Sequence, residues 1–143
     1  MSAGTTEVDL LAELLEASHA TVYGYGVLGA RLDEPARRTA RAAVDAHRAR
    51  RDALSARLRE RDADPEPGLA AYDVAVADRP QALALAVRLE EGMAVRWRDL
   101  VGGTDDQALR RQALSGLQDA AVRAATWRRL AGAGPAVALP GTA

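Results

Sequence analysis

The sequence predicts an all-α fold: four long helices arranged as two antiparallel hairpins and joined by one long crossover. Three observations carry this. Apolar residues recur at alternating spacings of three and four in four separate stretches, the period of a helix face packed on neighbours. Two connections are short and marked by Pro or by Gly-Gly, so the helices they join must lie antiparallel. The remaining one, over 62–78, is long, holds Pro65, Pro67 and Gly68, and breaks the helical pattern.

The first helix is predicted over 7–32, after a frayed tail at 1–5. Its seam is Leu11, Leu15, Ser18, Val22, Tyr25, Gly29 and Leu32. Thr6 suits the N-cap, and Glu7 and Asp9 favour the positive end of the helix dipole. Ser18 stands mid-seam, where a carboxylate or an apolar side chain would be the alternatives. Glu16, His19 and Tyr23 form a second row on the flank, three and four apart. Gly24, Gly26 and Gly29 each cost about 1 kcal/mol relative to alanine inside a helix. They predict close approach of another helix backbone, or a local kink.

Asp33-Glu34-Pro35 turns the chain, with Pro35 in the first turn of a second helix over 35–61. Its seam is Ala40, Val44, His47, Arg51, Leu54 and Leu58. The crossover that follows is long enough to travel the length of a bundle, roughly 40 Å for a ~27-residue helix. Its Tyr72, Val74 and Val76 predict that it lies on the bundle. A connection of that length needs a topological reason. Running helices two and three parallel supplies one, and gives up-down-down-up order, the ferritin-like arrangement.

The third helix is predicted over 79–101, opened by Asp78 as N-cap with Gln81 as capping-box partner. Its seam is Leu83, Val87, Glu90, Ala94, Trp97 and Val101, and Gly102-Gly103 stops it. Thr104-Asp105-Asp106-Gln107 reads as a capping box for a fourth helix over 105–131. That helix carries Leu109, Ala113, Leu117, Ala120, Ala124 and Trp127, with Arg128 and Arg129 in its last turn. The tail over 132–143 is apolar enough to dock.

At 143 residues the chain predicts one domain with a real core. Lys, Ile, Phe, Asn and Cys are absent and all nineteen basic residues are Arg, a pattern of GC-rich coding rather than of function. The lack of cysteine excludes disulfides and thiolate metal sites. A net charge of −1 gives no global attraction to nucleic acid or to an anionic membrane. The nine arginines over 35–61 spread around their helix instead of forming a stripe, so no nucleic-acid partner is expected. The start, MSAGTTEVD, lacks the basic region of a secretory leader. No stretch reaches the ~18 charge-free apolar residues of a membrane span, so a cytoplasmic protein is expected. No nucleophile–base pair, phosphate loop or dinucleotide fingerprint is present.

Five segments are familiar together: His19 to Gly26, Ala46 to Leu54, Leu89 to Gly92, Ala121 to Arg128, and Leu139 to Gly141. With them the chain resembles a family of actinobacterial ferritin-like domains of unknown function, of the DUF4439 type. The resemblance covers nearly the whole chain and implies the ferritin-like fold. In the family pattern Glu usually precedes the first histidine; here that position is Ser18.

A ferritin-like di-iron centre takes one Glu from each of two helices and a Glu-x-x-His pair from each of the other two. The third helix offers Glu90. The second offers His47, with Val44 three residues before it instead of Glu. The fourth has no histidine, and Asp119 points only marginally inward. The first has Ser18 inside, and its Glu16-x-x-His19 lies on the flank. The ligand set is incomplete, so no cofactor is expected. Ser18, His47, Arg51 and Glu90 read as core polar residues, with His47 and Glu90 a buried pair that Arg51 could join. Tyr25, Trp97 and Trp127 read as core filler where Phe is missing. Two functions follow. The preferred one is a non-enzymatic bundle that binds a protein partner or another copy of itself, a dimer being the simplest form. The alternative is an iron- or manganese-binding oxidoreductase or storage-type protein using His47 and Glu90, with Glu16 and His19 as further ligands.

Overall fold

The computed structural model describes residues 4–132 and Gly141. Residues 1–3 of the expected frayed tail, and the expected C-terminal tail apart from Gly132 and Gly141, lie outside the described residues. Four helices form: α1 (Glu7–Gly29), α2 (Ala36–Arg59), α3 (Arg79–Gly103) and α4 (Gln107–Leu130). Among the described residues there is no strand.

The helix ends follow from local chemistry. At α1 the Thr6 hydroxyl accepts from the Asp9 N–H, and the Asp9 carboxylate accepts from the Thr6 N–H, a reciprocal cap. The chain leaves α2 through Asp62, at φ 55°, while the Ala63 N–H bonds the Leu58 carbonyl and the Asp62 N–H that of Arg59. That is the left-handed stop usually given to glycine. At α3 the Asp78 carboxylate accepts from the Gln81 N–H, and Gln81 reaches back one residue further than expected, to the Ala77 N–H.

Two expected boundaries are corrected. Gly102 and Gly103 continue α3 instead of stopping it; the stop is Thr104, whose backbone is extended. Gly103 faces Leu10, where a Cβ would overlap that side chain. The cap of α4 is Asp106, which accepts from the N–H groups of Ala108 and Leu109. Thr104 is buried; its hydroxyl donates to the Glu7 carboxylate, and its oxygen accepts at 3.1 Å from the Asp106 N–H, ahead of the helix, not from the first turn within it.

The same end of the molecule fixes the topology. Arg61, just past α2, pairs with Glu7 at the start of α1 and with Asp106 at the start of α4. Gly103, at the end of α3, meets Leu10. The starts of α1 and α4 therefore share one end with the finishes of α2 and α3. Helices α2 and α3 run parallel, and the bundle is ferritin-like. Helix α1 packs on α2 and α3, and α3 packs on α4. Long side chains bridge α2 to α4: Arg50 to Ser115 and Asp119, and Arg57 to Gln112.

The crossover lies along α1. The His19 Nε2–H donates to the Glu66 carbonyl at 3.1 Å, and Gly68 sits where a Cβ would come 2.9 Å from that imidazole. Tyr72 packs on Tyr23 with ring centroids 5.5 Å apart, and Arg31 donates to the Val76 carbonyl at 3.1 Å. Burial pushes the Tyr72 hydroxyl up, and the facing Glu16 carboxylate adds to this. Of the three glycines in α1, Gly24 alone is closely approached, and by the Leu89 side chain instead of the expected helix backbone. Gly26 meets open space, and Gly29 comes no closer than 4.0 Å to Ala40.

Gly141 is buried against α3, within 3.0 Å of the Ala94 carbonyl for any added Cβ, and at φ 83°. The buried apolar residues form two separate clusters. One gathers Leu11, Leu14, Leu15, Leu54, Leu58 and Trp97 towards the Glu7–Arg61 end. The other gathers Leu28, Leu32, Leu83 and Trp127 at the opposite end.

Gly116 of α4 lies against the indole of the buried Trp97, where a Cβ would overlap the ring. Gly116→Ala is expected to destabilise by about 1–3 kcal/mol in urea unfolding, although alanine is the better helix former; stabilisation would contradict this packing. Thr104 and then Arg61 hold the Glu7 carboxyl below its ordinary value of 4.5. A depressed native pKa contributes stability above the unfolded value, lost as pH falls through the native one. Glu7→Gln is expected to cost about 1 kcal/mol at pH 7, and its melting curve should converge on that of the unsubstituted chain below pH 4.5.

Candidate functional site: a polar layer in the bundle core

Buried polar groups form a layer on the inner side of the second apolar cluster, to which two of its members, Tyr25 and Trp127, belong. Each helix contributes one side chain to its centre: Tyr25 from α1, His47 from α2, Glu90 from α3 and Trp127 from α4. All four are seam residues, at most 1 % exposed. The α-helical spacing that buries Leu28 and Leu83 therefore also drives these polar groups inward.

Their hydrogen bonds form one chain. The Trp127 indole N–H donates to the Tyr25 oxygen at 2.8 Å. The Tyr25 O–H donates to Glu90 Oε1 at 2.6 Å, the short distance of a charge-assisted bond. The same oxygen lies 2.8 Å from His47 Nε2, which donates to it. The Tyr25 ring also stacks on His47, with centroids 5.7 Å apart. Burial first, and the negative charge of Glu90 second, hold the Tyr25 hydroxyl protonated far above its ordinary value. Two atoms of the layer find no partner among the described residues: Glu90 Oε2 and His47 Nδ1.

The structure brings His47 and Glu90 together and separates them from the other candidates. Ser18 is buried, but its hydroxyl donates to the Leu14 carbonyl at 2.8 Å within its own helix. Arg51, expected to be able to join the pair, does not reach it. The buried stripe of α2 steps from His47 directly to Leu54, leaving Arg51 on its half-buried edge, paired with Asp52. Glu16 and His19 face the crossover, not the layer. Asp119 pairs with Arg50 between α2 and α4. Tyr25 and Trp127, read from sequence as filler, are working members of the layer. The available signal was that each has a polar tip on a seam position, and such tips seek a partner when buried.

This constellation does not fit a di-iron centre. Such a centre needs carboxylates and imidazoles from all four helices, and here α1 and α4 present a protonated phenol and an indole. The Nε2 lone pair is replaced by a proton committed to Glu90, and Glu90 Oε1 already accepts two hydrogen bonds. Among the described residues no three His, Asp or Glu side chains converge to hold an ion. The arrangement is a hydrogen-bonded tie across the bundle. Tyr25→Phe would strand the Trp127 N–H and remove one donor from Glu90, at an expected cost of about 1–3 kcal/mol. A double-mutant cycle in urea with Glu90→Gln should show coupling of about 0.5–3 kcal/mol; strict additivity would mean that the two groups do not act as a unit.

No protein of curated function matches the chain. A conserved hypothetical protein from Mycobacterium tuberculosis is 31 % identical, covers 90 % of this chain and 99 % of its own, and superposes with a TM-score of 0.85. A ferritin-like, diiron-carboxylate protein from Bacillus anthracis is 13 % identical, with a TM-score of 0.78 over 87 % of this chain and 94 % of its own. A Dps mutant from Listeria innocua is 10 % identical, with a TM-score of 0.81 over 94 % and 99 %. These two likenesses concern the fold alone. The family model described as a domain of unknown function, DUF4439, matches residues 11–143, and the chain belongs to that family.

Proposed function

We propose that this chain is a single-domain, non-enzymatic ferritin-like bundle that acts by associating with a protein partner or with a second copy of itself. The observation that carries this reading is the closure of the core. The inward positions that would have to hold two metal ions are joined to one another by the Trp127–Tyr25–Glu90–His47 hydrogen bonds. Function is then left to the surface. Leu114 and Val122, 44 % and 66 % exposed, stand on the outer side of α4 and support a role in association.

A second reading rests on one observation, the unpartnered Glu90 Oε2 and His47 Nδ1. A carboxylate and an imidazole suit iron or manganese, and an ion there would make the protein a metal-binding oxidoreductase or store. Elemental analysis of protein purified without chelator, together with light scattering, decides between the two. The expected result is well under one equivalent of iron or manganese, and an assembly weakened by Val122→Arg. One or more equivalents of metal, lost in His47→Ala and Glu90→Ala, would overturn the first reading. Metal content unchanged in those variants would overturn the second.

A further inference from the structure

We infer, resting on the proposed role in association, that the outward face of α2 docks a second copy of this chain, the two α2 helices running antiparallel about a two-fold axis level with Ala46 and His47. A charge pattern points to this. Arg41, Asp45, Arg48 and Asp52 stand four, three and four apart and so form one row along α2. Read from the other end, the row has every sign inverted. Turning the helix end for end about the midpoint of residues 46 and 47 therefore sets Asp52 opposite Arg41 and Arg48 opposite Asp45, each pair occurring twice by symmetry.

The rest of α2 agrees with that register. Glu34, just ahead of the helix, falls opposite Arg59. Arg37, Arg38, Arg50, Arg51 and Arg57 fall opposite alanine or serine, so no like charges of α2 meet. Moving the partner by four residues would instead set Asp45 against Asp52, which selects against that slip. A partner of one charge sign would be repelled by half of the row. An alternating row is matched by another alternating row, and this chain carries one.

The row is available for such a contact. Its side chains are 57–81 % exposed. Asp45 lies 4.0 Å from Arg48, Asp52 pairs with its neighbour Arg51, and Arg41 pairs with the half-exposed Glu34. Exposed pairs of this kind hold their members weakly. No described segment overlies the face, since the crossover lies on α1 and Gly141 on α3.

The surroundings let a second helix come close. Ala42, Ala49 and Ala56, seven apart and all exposed, run along one flank of the row. On the other flank the row walls a groove with Gly26, Gly29 and Ala30 of α1. Gly26 is exposed, with no described atom within 4 Å of where a Cβ would stand, so nothing inside the described chain offsets its cost to the helix. A helix lying along the row would use the space it leaves.

Sedimentation velocity of the full chain over roughly 1–500 μM tests this. A reversible dimer is expected. Asp45→Arg faces the partner's Arg48 with a like charge, twice, and should weaken the dimer at least roughly tenfold; Asp52→Arg should do the same against the partner's Arg41. Combining Asp45→Arg with Arg48→Asp restores opposite charges and should return dimerisation to within a few-fold. Combining Asp45→Arg with Arg111→Asp on α4 restores only the net charge and should not. A chain monomeric throughout overturns the proposal, as do Asp45→Arg and Asp52→Arg dimerising like the unsubstituted chain, or a charge swap that fails to restore the dimer. A dimer that ignores these substitutions and is weakened by Val122→Arg also overturns it, while leaving the role in association standing.

Discussion

The structure depends on one buried acid. Glu90 lies in the centre of α3 with no access to water, where an unpartnered carboxylate would cost several kcal/mol. Two donors on one of its oxygens, from Tyr25 and His47, make the position tolerable. Each donor is in turn fixed: Tyr25 by the Trp127 indole, and the two rings by stacking on each other. Because the four side chains come from four helices, the network selects one register of all four, where apolar contacts alone would accept several. A polar core of this kind specifies an arrangement more than it adds stability.

Much of this was legible in the sequence, for identifiable reasons. Helix positions followed from apolar spacing, and the parallel course of α2 and α3 followed from the length of the connection between them. His47 and Glu90 were recognisable as inward because polar residues on an otherwise apolar seam have nowhere else to point. The rest depended on tertiary competition. Thr104 has the right spacing for a cap, yet its oxygen accepts from the Asp106 N–H while its proton goes to Glu7, and Asp106 itself caps the first turn. Arg51 fits an idealised seam, but the real stripe skips from position 47 to 54 and leaves it outside. The Glu16, His19 and Tyr23 row was visible as a pattern; its role as the bed of the crossover was not, because the crossover has no periodicity from which to read its path.

The Glu7 end shows a different economy. A single guanidinium, Arg61, joins the first turn of α1, the finish of α2 and the cap of α4. The Thr104 hydroxyl ties the exit of α3 into the same carboxylate. Three exposed ion pairs would contribute little, whereas a half-buried cluster that unites all four helices restrains their ends together.

The path of the crossover gives the molecule a clothed side and a bare side. Chain segments are laid over α1 by residues 66–76, and Gly141 rests on α3. No described segment overlies α2 or α4. Within the described chain, α1 and α3 are thus the helices restrained from outside as well as from the core, while α2 and α4 are restrained by the core and by each other's side chains alone.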